Sequence, residues 1–407
     1  MKRIILLSAA ILLASLFAKA QENSENETSF ELGSGVNFDL NDGAYKFKLS
    51  GMMQPYYAFE QVGDEDPDYF FNSKRTYLNF GGEAVEEKVS FFFQVDFTQP
   101  EPLLDAWIKY NPFGEFNVTV GQMQNISNNR EMLHMEDHLT FPDRSLLSTS
   151  LSNTGRELGL FIDNTFGDEN FAVIPHISVT SGDGRNSFGA DSRDVDLGGL
   201  KYGARIDLFP LGMFTKGNEG QVADLMHEES PKVLLGAAAS YNDGASNTVG
   251  EGHGDYFLYD AAGEVQLPDY RQLYFDILAK YKGFSVLGEY AIATATSLDG
   301  SFVDPTATEF LRPTQISQYL TLGTAYNAQL GYVTKSGYAL DLRYSALTPE
   351  FGDNEMSVAA ETTAMTVGFS KYFKENALKI QAAVTTLDNE RMEDNTLTGQ
   401  LLFQLIF

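Results

Sequence analysis

Apolar and polar side chains alternate in segment after segment of this chain. Beyond the first twenty residues, no stretch is apolar for long enough to cross a bilayer as a helix. From Tyr45 the odd positions read Tyr45, Phe47, Leu49, Gly51, Met53, Pro55, Tyr57 and Phe59, while the even ones read Lys46, Lys48, Ser50, Met52, Gln54 and Tyr56. Leu273, Phe275, Ile277, Ala279 and Tyr281 oppose Tyr274, Asp276, Leu278 and Lys280 in the same way. Tyr338, Leu340, Leu342 and Tyr344 oppose Ala339, Asp341, Arg343 and Ser345. Successive side chains of a strand point to opposite faces, so each segment has one oily face and one wet face. A soluble sandwich has this pattern too. Aromatic residues near the segment ends, with charges on the opposite face, favour strands that cross a membrane in a closed barrel.

Breakers and alternation together predict about sixteen strands, near 44–59, 70–81, 88–98, 103–110, 115–122, 156–163, 170–180, 199–208, 232–241, 271–281, 283–295, 319–333, 337–347, 362–373, 377–387 and 396–407. The expected fold is therefore all-β, a transmembrane antiparallel barrel. Its even strand number leaves both ends in the periplasm. If the first strand runs outward, the periplasmic turns include NPFGE, DNTFGDE, KG, TKSG and KENA, all short. The long connections GDEDPD, SGDGRNSFGADSRDVDLGG, NDGASNTVGEGHGDYFLYD and PEFGDNEMS fall outside. Residues 209–231 break this rule, being long yet on the periplasmic side.

The two ends of the chain fit the same scheme. Lys2 and Arg3 precede an apolar run that ends in Ala18-Lys19-Ala20, the pattern of a cleavable secretory signal over residues 1–20. Removing it takes away three cations and no acid, so the net charge moves from −28 to −31. Residues 21–43, polar and rich in Asn, Glu and Gly, read as a flexible periplasmic lead-in, and 44–407 as the barrel. At the C-terminus, LTGQLLFQLIF puts Leu397, Gly399, Leu401, Phe403, Leu405 and Phe407 on one face. As the last strand it would pair with the first and leave no open edge in lipid, with Phe407 as an assembly signal.

Composition excludes several functions. There is no cysteine, hence no disulfide, thiolate chemistry or N-terminal lipidated Cys. With 56 acidic residues against 28 basic ones, no nucleic-acid partner is expected. The five histidines lie in no hydrolase motif and G-x-S-x-G is absent, so neither enzyme activity nor a cofactor is expected. A barrel hydrolase and a non-conducting adhesin or structural barrel are the alternatives to a channel.

The stretches NSKRTYLNFGG, VSFFFQVDF, DAWIKYNPFGEFNVTVGQMQ, NTGRELGLFID and KYKGFSVLGEYA, in this order and spacing, resemble the phosphate-selective porins O and P. The resemblance implies a sixteen-stranded, usually trimeric barrel in the outer membrane of a Gram-negative bacterium. Such a barrel is embedded in outer-membrane lipid and passes small hydrophilic solutes and inorganic anions such as phosphate by passive diffusion along basic walls. It also implies that the third external loop, residues 124–155 here, folds into the lumen and narrows it. The dense basic ladder of that family is not reproduced in this chain.

Alternation assigns Lys46, Lys48, Arg75, Lys109, Lys201, Arg205, Lys280, Arg343 and Lys379 to the inner wall, together with Asp96, Asp105, Glu157, Asp207, Asp276, Glu289 and Asp341. The loop adds Arg130, His134, His138 and Arg144. The expected constriction candidates are Arg75, Arg130, His134, His138 and Arg144, with Lys46, Lys48, Lys109, Lys201, Arg205 and Arg343 along the pore. For each charge the alternative is a structural ion pair, such as Asp207 with Arg205 or Asp341 with Arg343. His134 and His138 stand at i, i+4, but without the Glu of H-E-x-x-H or a third ligand, so no metal is expected. The acidic loops form a negative mouth that raises local cation concentration; the Asp183, Asp191, Asp194, Asp196 cluster lacks calcium-loop spacing.

Overall fold

The computed structural model describes residues 27–41, 43–187 and 198–407. The signal segment 1–20 and the loop acids Asp191, Asp194 and Asp196 lie outside the described residues. Within them the chain forms one continuous antiparallel sheet. A hairpin of β1 (Glu27–Glu31) and β2 (Gly35–Leu40) precedes β3 (Tyr45–Val62), β4 (Asp68–Ala84), β5 (Val89–Asp96), β6 (Leu103–Phe113), β7 (Phe116–Gln124) and β8 (Arg156–Asp163). The two-residue β9 (Phe166–Gly167) leads into β10 (Ala172–Thr180), β11 (Lys201–Phe209), β12 (Lys232–Asn242), β13 (Asp269–Tyr281) and β14 (Phe284–Thr296). The chain ends with β15 (Gly323–Val333), β16 (Tyr338–Pro349), β17 (Thr362–Lys374), β18 (Leu378–Asn389) and β19 (Thr396–Ile406). Setting aside the hairpin and β9, sixteen strands wrap into a barrel that closes where β19 pairs with β3.

The closing seam explains the apolar C-terminus. Register runs from Thr396 opposite Val62 to Ile406 opposite Met52. One residue further, Gly51 and Phe407 exchange main-chain hydrogen bonds of 2.6 and 2.9 Å. Gly51 is small for a reason: a Cβ there would come within 2.9 Å of the Phe407 ring. Leu401, Phe403, Leu405 and Phe407 are exposed on the outside, in the same way as Leu273, Phe275 and Ile277 on β13 and Leu340 and Leu342 on β16. Such a continuous apolar belt is stable only against hydrocarbon. Leu402 and Ile406, which interrupt the alternation, point inward and are buried, Ile406 against Met52, Tyr77 and Leu104.

The lead-in reading of 21–43 is corrected over residues 27–40. The turn at Gly33-Ser34-Gly35 folds β1 onto β2, and Val36 to Leu40 pair with Leu49 to Tyr45 of β3. The reason is an unpaired edge. β3 extends below the end of β19, and β2 takes up the main-chain groups that β19 leaves free.

The anomalous connection 209–231 also finds its place. It turns back over the inner faces of β10 to β14, where Phe214 and Val222 pack with Phe209, Leu234, Leu278 and Leu287. Ala223 and Leu225 reach Val333, Ala339 and Tyr372. Burying these side chains contributes roughly 1.5–3 kcal/mol for each large one. The connection is long because it fills the lumen instead of merely joining two strands.

Candidate solute pathway

The 125–155 connection is held against the inner wall by a chain of polar contacts. Asn129 and the main chain of Glu131 donate to Glu289 on β14, at 2.9 and 2.8 Å. Arg130 bonds Asp276 on β13 (2.9 Å) and pairs with Asp207 on β11; Arg205 bonds Asp207 (2.8 Å), pairs with Asp276, and donates to the Asn128 carbonyl at 3.0 Å. Two guanidiniums and two carboxylates thus neutralise one another in a buried square. The Glu131 carboxylate accepts from Gln329 (2.7 Å) and the Ser145 main chain (2.7 Å), and faces Arg343 at 3.5 Å. Lys379 on β18 donates to the carbonyls of Asp137 and Leu139, both at 2.8 Å. Above this layer the short helix Leu146–Leu151 packs Leu147 and Leu151 under Leu258, Leu311, Ile316, Leu320 and Ala359 from the outer loops.

These contacts lie mostly on the β11 to β18 side, where the 209–231 segment fills the periplasmic half. The opposite wall, β3 to β7, stays open. Two cavities lie along it, an outer one of about 530 Å³ and an inner one of about 650 Å³. The outer cavity is lined by Lys74, Arg75, Arg144 and Arg156, with Asp96, Glu136 and Asp143 among them. The inner cavity, toward the periplasmic end, is lined by Lys46, Lys48, Asn79, Phe92, Trp107, Met135 and Asp137. Tyr77 lines both. It stands on β4 opposite Met52 and packs with Met52, Leu104 and Ile406 between the two cavities.

Of the residues expected from the sequence, Arg75 and Arg144 line the outer cavity and Lys46 and Lys48 the inner one. Lys109 stands on the same wall, its Nζ 5.6 Å from the Trp107 ring centre. Arg205, Lys201 and Arg343 face inward as alternation requires, and Arg130 is carried inward by the loop, but none of the four lines either cavity. Lys201 faces Glu157 at 3.2 Å. Arg343 lies over the Phe141 ring at 4.5 Å and turns to Glu131, not to its expected neighbour Asp341. The Arg205–Asp207 pair forms. His134 is buried, and burial, followed by the nearby Arg130 and Lys280 charges, holds its ring well below the ordinary imidazole range. His138 is half-buried, 3.7 Å from Asp137.

Arg156 and Lys74 are functional candidates that alternation alone missed. Arg156 begins β8, spanning Asp105 (2.8 Å) and Glu136 (3.0 Å) across the outer cavity floor. Burial would raise the Glu136 carboxyl, but Arg156 and Arg144 outweigh it and hold it well below the usual carboxylate range. Lys74 neighbours Arg75 in sequence, so strict alternation sends one of them into lipid. The pairing of β3 with β4 slips between Met53 and Pro55, and this bulge turns both cations inward, Lys74 onto Asp143 and Arg75 onto Gln54 at 2.8 Å. Adjacent cations in a membrane strand were the available signal.

No protein-family model matches the sequence, and no curated protein matches it. Solved structures do. The outer membrane channel DcaP of Acinetobacter baumannii matches with a TM-score of 0.56 at 14% identity, covering 90% of this chain and 99% of that one. An anion-selective porin from Comamonas acidovorans matches at 0.54 and 8% identity, covering 89% and 100%. The trimer form of OmpT, an outer membrane protein of Vibrio cholerae, matches at 0.50 and 10% identity, covering 89% and 99%. The fold is that of an outer-membrane porin. At these identities the likeness carries the sixteen-stranded barrel fold alone, and leaves solute and selectivity to the residues themselves.

Proposed function

We propose that this barrel is a passive channel for small hydrophilic solutes, with a preference for anions. The observation that carries the reading is the pair of cavities along the β3 to β7 wall, one toward each end of the barrel, with Tyr77 lining both. Lys74, Arg75, Arg144 and Arg156 crowd the outer cavity, and Lys46 and Lys48 stand in the inner one, so an anion meets basic groups at both levels. Part of that charge is neutralised by Asp143, Glu136 and Asp105, which makes the preference weak. The resemblance to the phosphate-selective porins and the anion-selective Comamonas neighbour support the same sign; inorganic phosphate is the finer candidate. Three copies of the chain form the working unit, as in the trimer form of the Vibrio neighbour. Arg75, Arg144, Lys46 and Lys48 are the path residues in this reading, Arg130, Arg205 and Arg343 fix the loop, and Phe407 serves assembly at the seam.

Reconstituted in planar bilayers, the mature protein should give stepwise conductance, and a chloride gradient should give a reversal potential of anionic sign. Replacing Lys74 and Arg75 with Gln should move that potential toward the cationic side. A second reading, a sealed structural barrel, is favoured by the 209–231 segment and the inward loop filling much of the lumen. Absence of any conductance from correctly folded protein decides for it.

A further inference from the structure

Most aromatic side chains that point into this barrel are covered. Tyr270, Tyr274, Phe141, Phe161 and Tyr372 are buried by the loop, the outer cap or the 209–231 segment. Phe92 and Trp107 differ. They stand opposite each other on β5 and β6, on the same inward face as Gln94 and Asp105, with ring centres 5.8 Å apart. Both line the inner cavity, and both are only partly buried. The neighbouring strands present glycine beside each: Gly81 of β4 opposes Phe92, and Gly121 of β7 opposes Trp107. A Cβ on Gly121 would come within 2.6 Å of the Trp107 Cα, so no larger residue fits there. Glycine thus stands on both flanks of the ring pair, which borders the inner cavity on one side and a shallow outward cleft with Phe93, Ile108 and Val120 on the other. It is also the only place a tryptophan occurs in this sequence. Tryptophans of membrane barrels usually sit outward at the lipid interface, whereas this one faces the lumen.

An uncovered aromatic surface in a water-filled cavity costs free energy unless something apolar visits it. The polar groups around it narrow what that visitor is. Lys109 stands beside the cavity with its Nζ 5.6 Å from the Trp107 ring centre, and Lys46 and Lys48 line the cavity itself, Lys48 exposed. Glu83 and Asp137 oppose them from the rim, and Asn79 adds an amide. We propose that Phe92 and Trp107, with Lys109, form a solute-binding site inside the channel for small organic anions that carry a flat ring. The ring stacks on the aromatic pair and the anionic group meets the lysines. This names a solute class for the proposed channel and rests on that reading. Binding is weak, because a conducting site must also release its solute.

The lone tryptophan makes the site its own reporter, since all tryptophan emission from the protein comes from residue 107. Detergent-solubilised mature protein is titrated with benzoate while that emission is followed, with N-acetyltryptophanamide as the collisional baseline. A saturable change with benzoate, and none with acetate, is expected. Phe92→Ala should weaken it by about three- to ten-fold, the loss of one aromatic contact. Lys109→Gln should weaken benzoate while sparing the binding of its neutral analogue benzamide. Heat-modified gel mobility confirms that each variant is folded. A linear response equal to the free amide overturns the proposal, as does a saturable response to glucose but not benzoate. Stepwise conductance without saturable binding sinks this site and spares the channel; binding without conductance sinks the channel and spares the site.

Discussion

The buried square of Arg130, Arg205, Asp207 and Asp276 invites a quantitative perturbation. Both guanidiniums touch both carboxylates, and all four groups are nearly inaccessible to water. Asp276→Leu removes one carboxylate and leaves two cations facing Asp207 alone. Breaking a buried pair in this way costs about 3–5 kcal/mol, chiefly the penalty of an uncompensated buried charge. Arg130→Leu should cost a similar amount, by stranding the two aspartates around Arg205. The double variant restores neutrality, with the Arg205–Asp207 bond of 2.8 Å intact. Its cost should therefore fall several kcal/mol short of the sum of the singles, a large coupling for residues in one network. Urea unfolding in lipid vesicles, followed by the gel mobility of folded and unfolded barrel, reads all four corners of the cycle. If the double variant loses as much as the two singles added together, the square is not a coupled electrostatic unit and its role in holding the loop is refuted. Current recordings add a second check, because a loosened loop in the Asp276→Leu channel should flicker more than wild type.

Three further outcomes follow from other parts of the structure. Tyr77→Ala removes a side chain that lines both cavities and should raise single-channel conductance by tens of per cent or more, measured in planar bilayers; unchanged conductance would place the waist elsewhere. His134, whose ring burial and Arg130 hold well below its ordinary value of 6.5, takes up a proton readily only when the loop releases it. The stability carried by the neutral ring is then complete above about pH 6.5 and lost as the pH falls below it. Channel noise should rise through that window, and His134→Leu should abolish the rise. Gly51→Leu, which drives a side chain into the Phe407 ring, should cut the yield of heat-resistant barrel in the outer membrane, and deletion of Phe407 should do the same. Normal yield in both would remove Phe407 from assembly.

Period-two alternation by itself determined the sheet. Outward Leu273, Phe275 and Ile277 and inward Asp276 and Lys280 could be placed from sequence because each strand position has only two directions to face, and lipid admits only one chemistry. The closure was legible too, since an apolar last strand ending in Phe407 needs a partner and only the first strand is free. Alternation cannot say which inward charges meet water. Arg130 and Arg205 read like pore residues, yet they end in a buried square because Asp207 on β11 and Asp276 on β13 come together where the loop delivers Arg130. Alternation placed Arg75 inward and gave no role to its neighbour Lys74, which a one-residue bulge also turns inward. Residues 209–231 looked like an oversized turn and are a filling for the lumen. Each of these depends on which side chains meet across the inside of the barrel, and a local pattern carries no information about contacts between residues separated by a hundred positions of chain.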